Sequence, residues 1–91
     1  MATVLITFKI MPDSVEANLD TIEQQSTEFI EKFGGKVIKN EREPIAFGLV
    51  ALKLSFSSDE QNSNLDPLED QIRNVEGVSS VEVVDIRRAI G

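Results

Sequence analysis

The apolar residues of this chain change their spacing in a fixed order, from every second position to helical spacing, through two extended runs, back to helical spacing and finally to every second position. From Ala2 to Ile10 the set Val4, Ile6, Phe8 and Ile10 alternates with Thr3, Thr7 and Lys9, which is the period of a strand with one buried face. Met11-Pro12-Asp13-Ser14 reads as a turn. Leu19, Ile22, Phe29, Ile30 and Phe33 then follow at helical spacing, with Asn18 as N-cap and Gly34-Gly35 as the stop. A second strand is expected from Lys36 to Arg42. A third is expected from Phe47 to Ser57, with Val50, Leu52, Leu54 and Phe56 on one face and Ala51, Lys53 and Ser55 on the other.

After the polar loop from Ser58 to Asn64, the run Asp66-Pro67-Leu68-Glu69 has the form of a capping box with proline at the first helical position. Leu68, Ile72 and Val75 form that helix's apolar stripe and Gly77 ends it. A last strand, Ser80 to Arg87, would set Val81 and Val83 on one face and Val84 and Ile86 on the other. The order β-α-β-β-α-β with short connections predicts an α+β, ferredoxin-like split βαβ fold, a four-stranded antiparallel sheet with two helices on one face. The opposite face would carry Thr3, Thr7, Lys9, Lys53 and Arg88. At 91 residues and 41% hydrophobic, the chain is expected to form a single domain, 1–91, with one modest core. That fold hosts many functions and selects none.

Composition excludes more than it selects. The chain has no histidine and no cysteine. Disulfides, thiol catalysis, zinc clusters and the commonest general base are therefore absent. Ser14, Ser26 and Ser55 have no histidine to activate them. Neither a catalytic site nor a cofactor or metal site is expected. The longest nearly apolar stretch, Ile45 to Leu52, is far short of the roughly 20 residues of a spanning helix. The start lacks a basic n-region and a small-residue cleavage site, so no signal peptide is expected, and a reducing cytoplasm fits the absence of cysteine.

Nine basic residues against sixteen acidic ones give a net charge of −7, a poor basis for gripping a nucleic-acid backbone. Six acids and no base lie between Asp13 and Glu31, and six acids against Arg73 alone lie between Asp59 and Glu76. Two readings fit: solvated helix faces, or an acidic helical side opposite a more basic side that could meet an acidic partner. Asp13, Glu16 and Asp20 cluster near the first helix start, where acids favour the helix dipole without any ligand. Gly34-Gly35 is too short for a phosphate loop and lacks the lysine that should follow one.

One stretch resists a purely structural account. In Glu43 to Leu54, Pro44, Phe47 and Gly48 stand at the entrance of the third strand. Phe47 is out of phase with Val50, Leu52 and Leu54, so strict alternation turns it away from the helices. Two roles fit an aromatic there, local packing under the turn or an interface anchor.

Pro44-Ile45-Ala46-Phe47-Gly48-Leu49 resembles the proline-x-x-aromatic-glycine signature of the guanine nucleotide exchange domain of elongation factor 1-beta proteins. KIMPDS with Asn18-Leu19, and VEGVSSVEVVDIRR from Val75 to Arg88, agree with the same family, and the likeness is closest to its archaeal single-domain members. The resemblance implies a translation elongation factor that binds the GTPase elongation factor 1-alpha and replaces GDP by GTP, with no covalent chemistry. It implies partner-binding roles for Pro44, Phe47 and Gly48, with Phe47 as the inserted aromatic, and for the C-terminal segment Asp85 to Gly91. Eukaryotic members carry a lysine near the chain end, where it disturbs the magnesium and phosphate region of the partner. Here no lysine follows Lys53, leaving Arg87 and Arg88 either as its replacement or as solvated strand-end cations. A free monomer that contacts neither nucleic acid nor membrane is expected. The rival reading is an ACT-like regulatory domain of the same element order that binds a small molecule.

Overall fold

The computed structural model describes residues 3–61 and 64–89. Its elements are β1 (Thr3–Pro12), α1 (Leu19–Phe33), β2 (Lys36–Pro44), β3 (Val50–Asp59), α2 (Asp66–Arg73) and β4 (Val78–Ala89). The strands form one antiparallel sheet in the order β2-β3-β1-β4, which is the expected split βαβ arrangement. α1 lies over β2 and β3, and α2 over β4. Ala2, Ile90 and Gly91, which the sequence reading assigns to the first strand and the C-terminal segment, lie outside the described residues, as do Asn62 and Ser63 of the polar loop.

The period-two residues build the core. Ile6, Phe8 and Ile10 of β1 face Phe56, Leu54 and Leu52 of β3 in register, and all six are buried. The Phe8 and Phe56 rings meet edge to face at 5.1 Å, a geometry worth about 0.5–1.5 kcal/mol beyond burial itself. From above, α1 buries Ile22, Ser26 and Ile30, while Leu19, Phe29 and Phe33 pack at the margin. Ser26 is polar and stands outside the apolar spacing, yet it lies in the middle of the buried stripe. α2 adds Leu68 and Ile72, and Val75 follows just beyond it.

The caps explain the helix limits. Asn18 accepts a hydrogen bond from the Thr21 amide at 3.2 Å, as expected of an N-cap. Gly34 takes a left-handed φ of 105°, and the Gly34 and Gly35 amides donate to Glu31 and Ile30 carbonyls. Gly35 is required for a different reason: a Cβ there would lie 2.9 Å from Phe56 Cδ2, so only glycine lets the chain pass over β3. At α2 the expected capping box does not form. The helix begins at Asp66 itself, Leu65 occupies the cap position without a side-chain bond, and Asn64 accepts from the Asp66 amide. Pro67 still sits in the first turn, where its missing N–H costs nothing.

Strand limits and faces also depart from the expectations. β1 continues through Met11 and Pro12, the proposed turn residues, because they pair with Ser80 and Val78 across a register shift. β2 extends to Pro44, and β3 starts at Val50 rather than Phe47. In β4 an irregularity opposite Thr7 and Phe8 leaves Val84 as the extra residue between Val83 and Asp85. The slip returns Ile86 to the helix-side phase opposite Ile6, and so separates it from Val84. It also puts Arg88 opposite Val4, on the helix side rather than the open face, while Arg87 lies opposite Leu5 on the open face.

Candidate functional site

The link between β2 and β3 is a tight turn at one end of the sheet. The Leu49 amide donates to the Ala46 carbonyl at 2.9 Å, and the Ile45 amide to the Leu49 carbonyl at 2.8 Å. Between them Phe47 and Gly48 both take positive φ, 55° and 80°. Two central residues at positive φ match the twist of the flanking strands, which is why such turns favour asparagine, aspartate and glycine. Gly48 suits that requirement and Phe47 does not. A non-glycine residue in left-handed backbone costs on the order of 1–3 kcal/mol.

Nothing in the fold repays that cost through packing, since Phe47 is 97% exposed. Of the two roles open to the aromatic, local packing under the turn is therefore ruled out. Pro44 closes β2 opposite Val50 and delivers the chain into the turn. The other four phenylalanines lie in the core or on α1, so the open sheet face offers no ring on which a base could stack.

Arg87 and Arg88 are not brought to the turn. Arg88 lies beside Val4, whereas the start of β3 lies beside Ile10, so the two regions are about 20 Å apart along β1. Both arginines are engaged within the chain. Arg87 Nε lies 2.9 Å from Asp85, and Arg88 pairs with Glu60, whose carboxylate holds its guanidinium further up than usual. These contacts are exposed and so add little stability.

The open sheet face is mixed rather than basic. Lys39 pairs with Glu41 at 2.6 Å and lowers that carboxyl's pKa, Lys53 lies 3.8 Å from Glu43, and the Thr7 and Ser55 hydroxyls share a 2.9 Å hydrogen bond. Arg88, expected on this face, lies on the helix side, and acids alternate with the lysines that remain, so the reading of a more basic opposite side is not realised. Arg42 instead bridges to Asp20 and Glu23 on α1. That pairing takes Asp20 out of the acidic cluster noted in the sequence. Among the described residues no three carboxylates are placed to hold a metal ion. No described helix is long and apolar enough to cross a membrane.

Sequence reasoning missed Val15. It stands on the β1–α1 connection at 62% exposure, and its Cγ1 lies 3.4 Å from where a Cβ on Gly48 would be. No signal in either segment alone links them.

The class these features define is a ferredoxin-like domain whose most exposed apolar side chain among the described residues is held on a strained hairpin turn. The chain belongs to the EF-1 guanine nucleotide exchange domain family, whose sequence model matches residues 5–89. It is 38% identical to the elongation factor 1-beta of Methanococcus vannielii over 94% of this chain and 97% of that protein. It is 48% identical to the elongation factor 1-beta of Thermococcus gammatolerans over 88% of each. Among solved structures it resembles the ACT domain of the Chlorobium tepidum GTP pyrophosphokinase, with a TM-score of 0.61 and 24% identity over 88% of this chain and 96% of that one. That likeness shows the fold alone.

Family and fold thus agree with the resemblance read from Pro44, Phe47, Gly48 and the flanking segments. The relatives support a nucleotide-exchange role in translation elongation.

Proposed function

We propose that the chain promotes exchange of GDP for GTP on the GTPase elongation factor 1-alpha, through contact between proteins and without covalent chemistry. The observation that carries this reading is Phe47, an aromatic held in a costly conformation with its ring in solvent. Strain maintained where it serves no packing is the mark of a binding group. Pro44 and Gly48 shape the turn, Phe47 inserts against the partner, and Arg87 and Arg88 at the far end of the sheet form a second contact.

Exchange follows from linkage. A factor that binds the nucleotide-free GTPase more tightly than the GDP form must weaken GDP by the same ratio. A thousandfold shift corresponds to about 4 kcal/mol of differential contact. A buried aromatic supplies about 2 kcal/mol or more of that. The remainder falls to other contacts, among them the arginine end.

In this reading residues 1–91 form one exchange unit, a monomer when free, working in the cytoplasm without cofactor, nucleic acid or membrane. The ACT-like alternative draws on fold likeness alone and gives Phe47 no task.

The test is release of a fluorescent GDP analogue from a cognate archaeal elongation factor 1-alpha, with the chain at catalytic amounts. Faster release at substoichiometric concentration is expected. Unchanged release with a verified cognate partner overturns the reading.

A further inference from the structure

The turn is not the only apolar feature at its end of the molecule. β1 ends, and β3 and β4 begin, at this same end, so the β1–α1 connection lies beside the β2–β3 turn. That connection is pinned at both sides. The Asp13 amide donates to the Gly77 carbonyl at 2.8 Å, the Ala17 amide to Ser14 at 3.3 Å, and Asn18 then caps α1. Val15 stands on this fixed loop, against Gly48.

Ile45, whose amide is bonded to Leu49, is 40% exposed on the rising side of the turn. Val15, Ile45 and Phe47 are thus three of the six large exposed hydrophobics among the described residues, and they share one end. The others, Ile38, Val84 and Ile86, lie along β2 and β4.

The surroundings of the three are acidic. Glu16 adjoins Val15 and Asp13 lies two residues before it, neither making an ion pair among the described residues, and Glu43, which also lies 3.8 Å from Lys53, precedes Pro44. Asp13, Glu16 and Glu76 also line a shallow depression of about 430 Å³ beneath this loop.

We infer that Val15 and Ile45 complete a single apolar docking patch around Phe47, and that the GTPase receives it in an apolar pocket bordered by basic side chains. The inference rests on the exchange-factor reading and deepens it. It gives Val15, the residue that follows the KIMPDS segment, a role in contact, and it places a basic rather than an acidic partner surface at this end. An exposed aromatic binds best when neighbouring groups exclude water around it. Complementary charge at the rim mainly raises the association rate.

The experiment titrates the full chain against its cognate GTPase and follows release of the fluorescent GDP analogue. Wild type is compared with Val15→Asp, Val15→Leu, Val15→Ser and Phe47→Ala, each checked by circular dichroism and thermal melting. Val15→Asp is expected to raise the half-saturating concentration about tenfold, while Val15→Leu stays within about twofold. Val15→Ser, which adds no charge, shows the same direction at smaller size. An Asp13→Asn, Glu16→Gln double variant is expected to associate more slowly and to depend less on ionic strength.

Wild-type titration by Val15→Asp and Val15→Ser, alongside an impaired Phe47→Ala, overturns this inference and leaves the exchange reading standing. Equal loss with Val15→Leu also overturns it, since an apolar contact should tolerate the larger apolar group. A wild-type chain that does not accelerate release overturns the exchange reading, and this inference with it.

Discussion

The two ends of the sheet present their proposed binding groups in opposite ways. At the β2–β3 end, Phe47 is held at positive φ with its ring exposed, and Val15 and Ile45 stand beside it. At the far end, Arg87 and Arg88 are exposed but already paired with Asp85 and Glu60. In the proposed reading the first end is prepared before the partner arrives, because the left-handed backbone is already present in the free protein. If the second end binds as proposed, it must first give up its internal carboxylates, so its net gain would be small. Preorganisation, more than exposure or charge, separates the two ends.

That contrast ranks three variants. The largest effect is expected for Phe47→Ala, which should slow stimulated GDP release at least about tenfold, as loss of an interface aromatic does. Its melting temperature should stay close to wild type, since the ring packs against nothing. Unchanged exchange kinetics would remove the anchor and the contrast together.

The Arg87→Ala, Arg88→Ala double variant should lose less, within about fivefold at moderate salt. A loss larger than that of Phe47→Ala would reverse the ranking and make the arginine end the principal contact.

The smallest effect concerns stability rather than exchange. Asparagine tolerates left-handed backbone, so Phe47→Asn should relieve about 1 kcal/mol of strain. For a domain of this size that corresponds to a rise of roughly 4–8 °C in melting temperature, measured by calorimetry. An unchanged or lowered melting temperature would show that the turn holds no strain and that Phe47 is merely exposed.

Much of this protein was legible from the chain. Alternation in β1 and β3 and helical spacing in α1 depend on local periods, and each period matched the core it built. Asn18 and Gly34 acted as their residue types require, because a cap is settled by neighbouring backbone groups. The motif around Pro44, Phe47 and Gly48 was also readable, including the outward direction of the aromatic. Membership of the exchange-domain family followed from those residues and their flanks.

The tertiary structure decided what depends on distant neighbours. The slip at Val84 arises from pairing with β1, and it alone put Arg88 on the helix side. Gly35 reads as a second stop residue, yet it is needed because Phe56 passes beneath it. The capping box at Asp66 was lost because the chain enters α2 already helical at Leu65. The left-handed backbone of Phe47 comes from the need of β2 and β3 to reverse within a tight turn. Only folding sets Val15 against Gly48 and carries Arg87 and Arg88 to the opposite end. Sequence determined the elements and their faces because periodicity is local; register, strain and the grouping of surface residues are products of strands meeting in space.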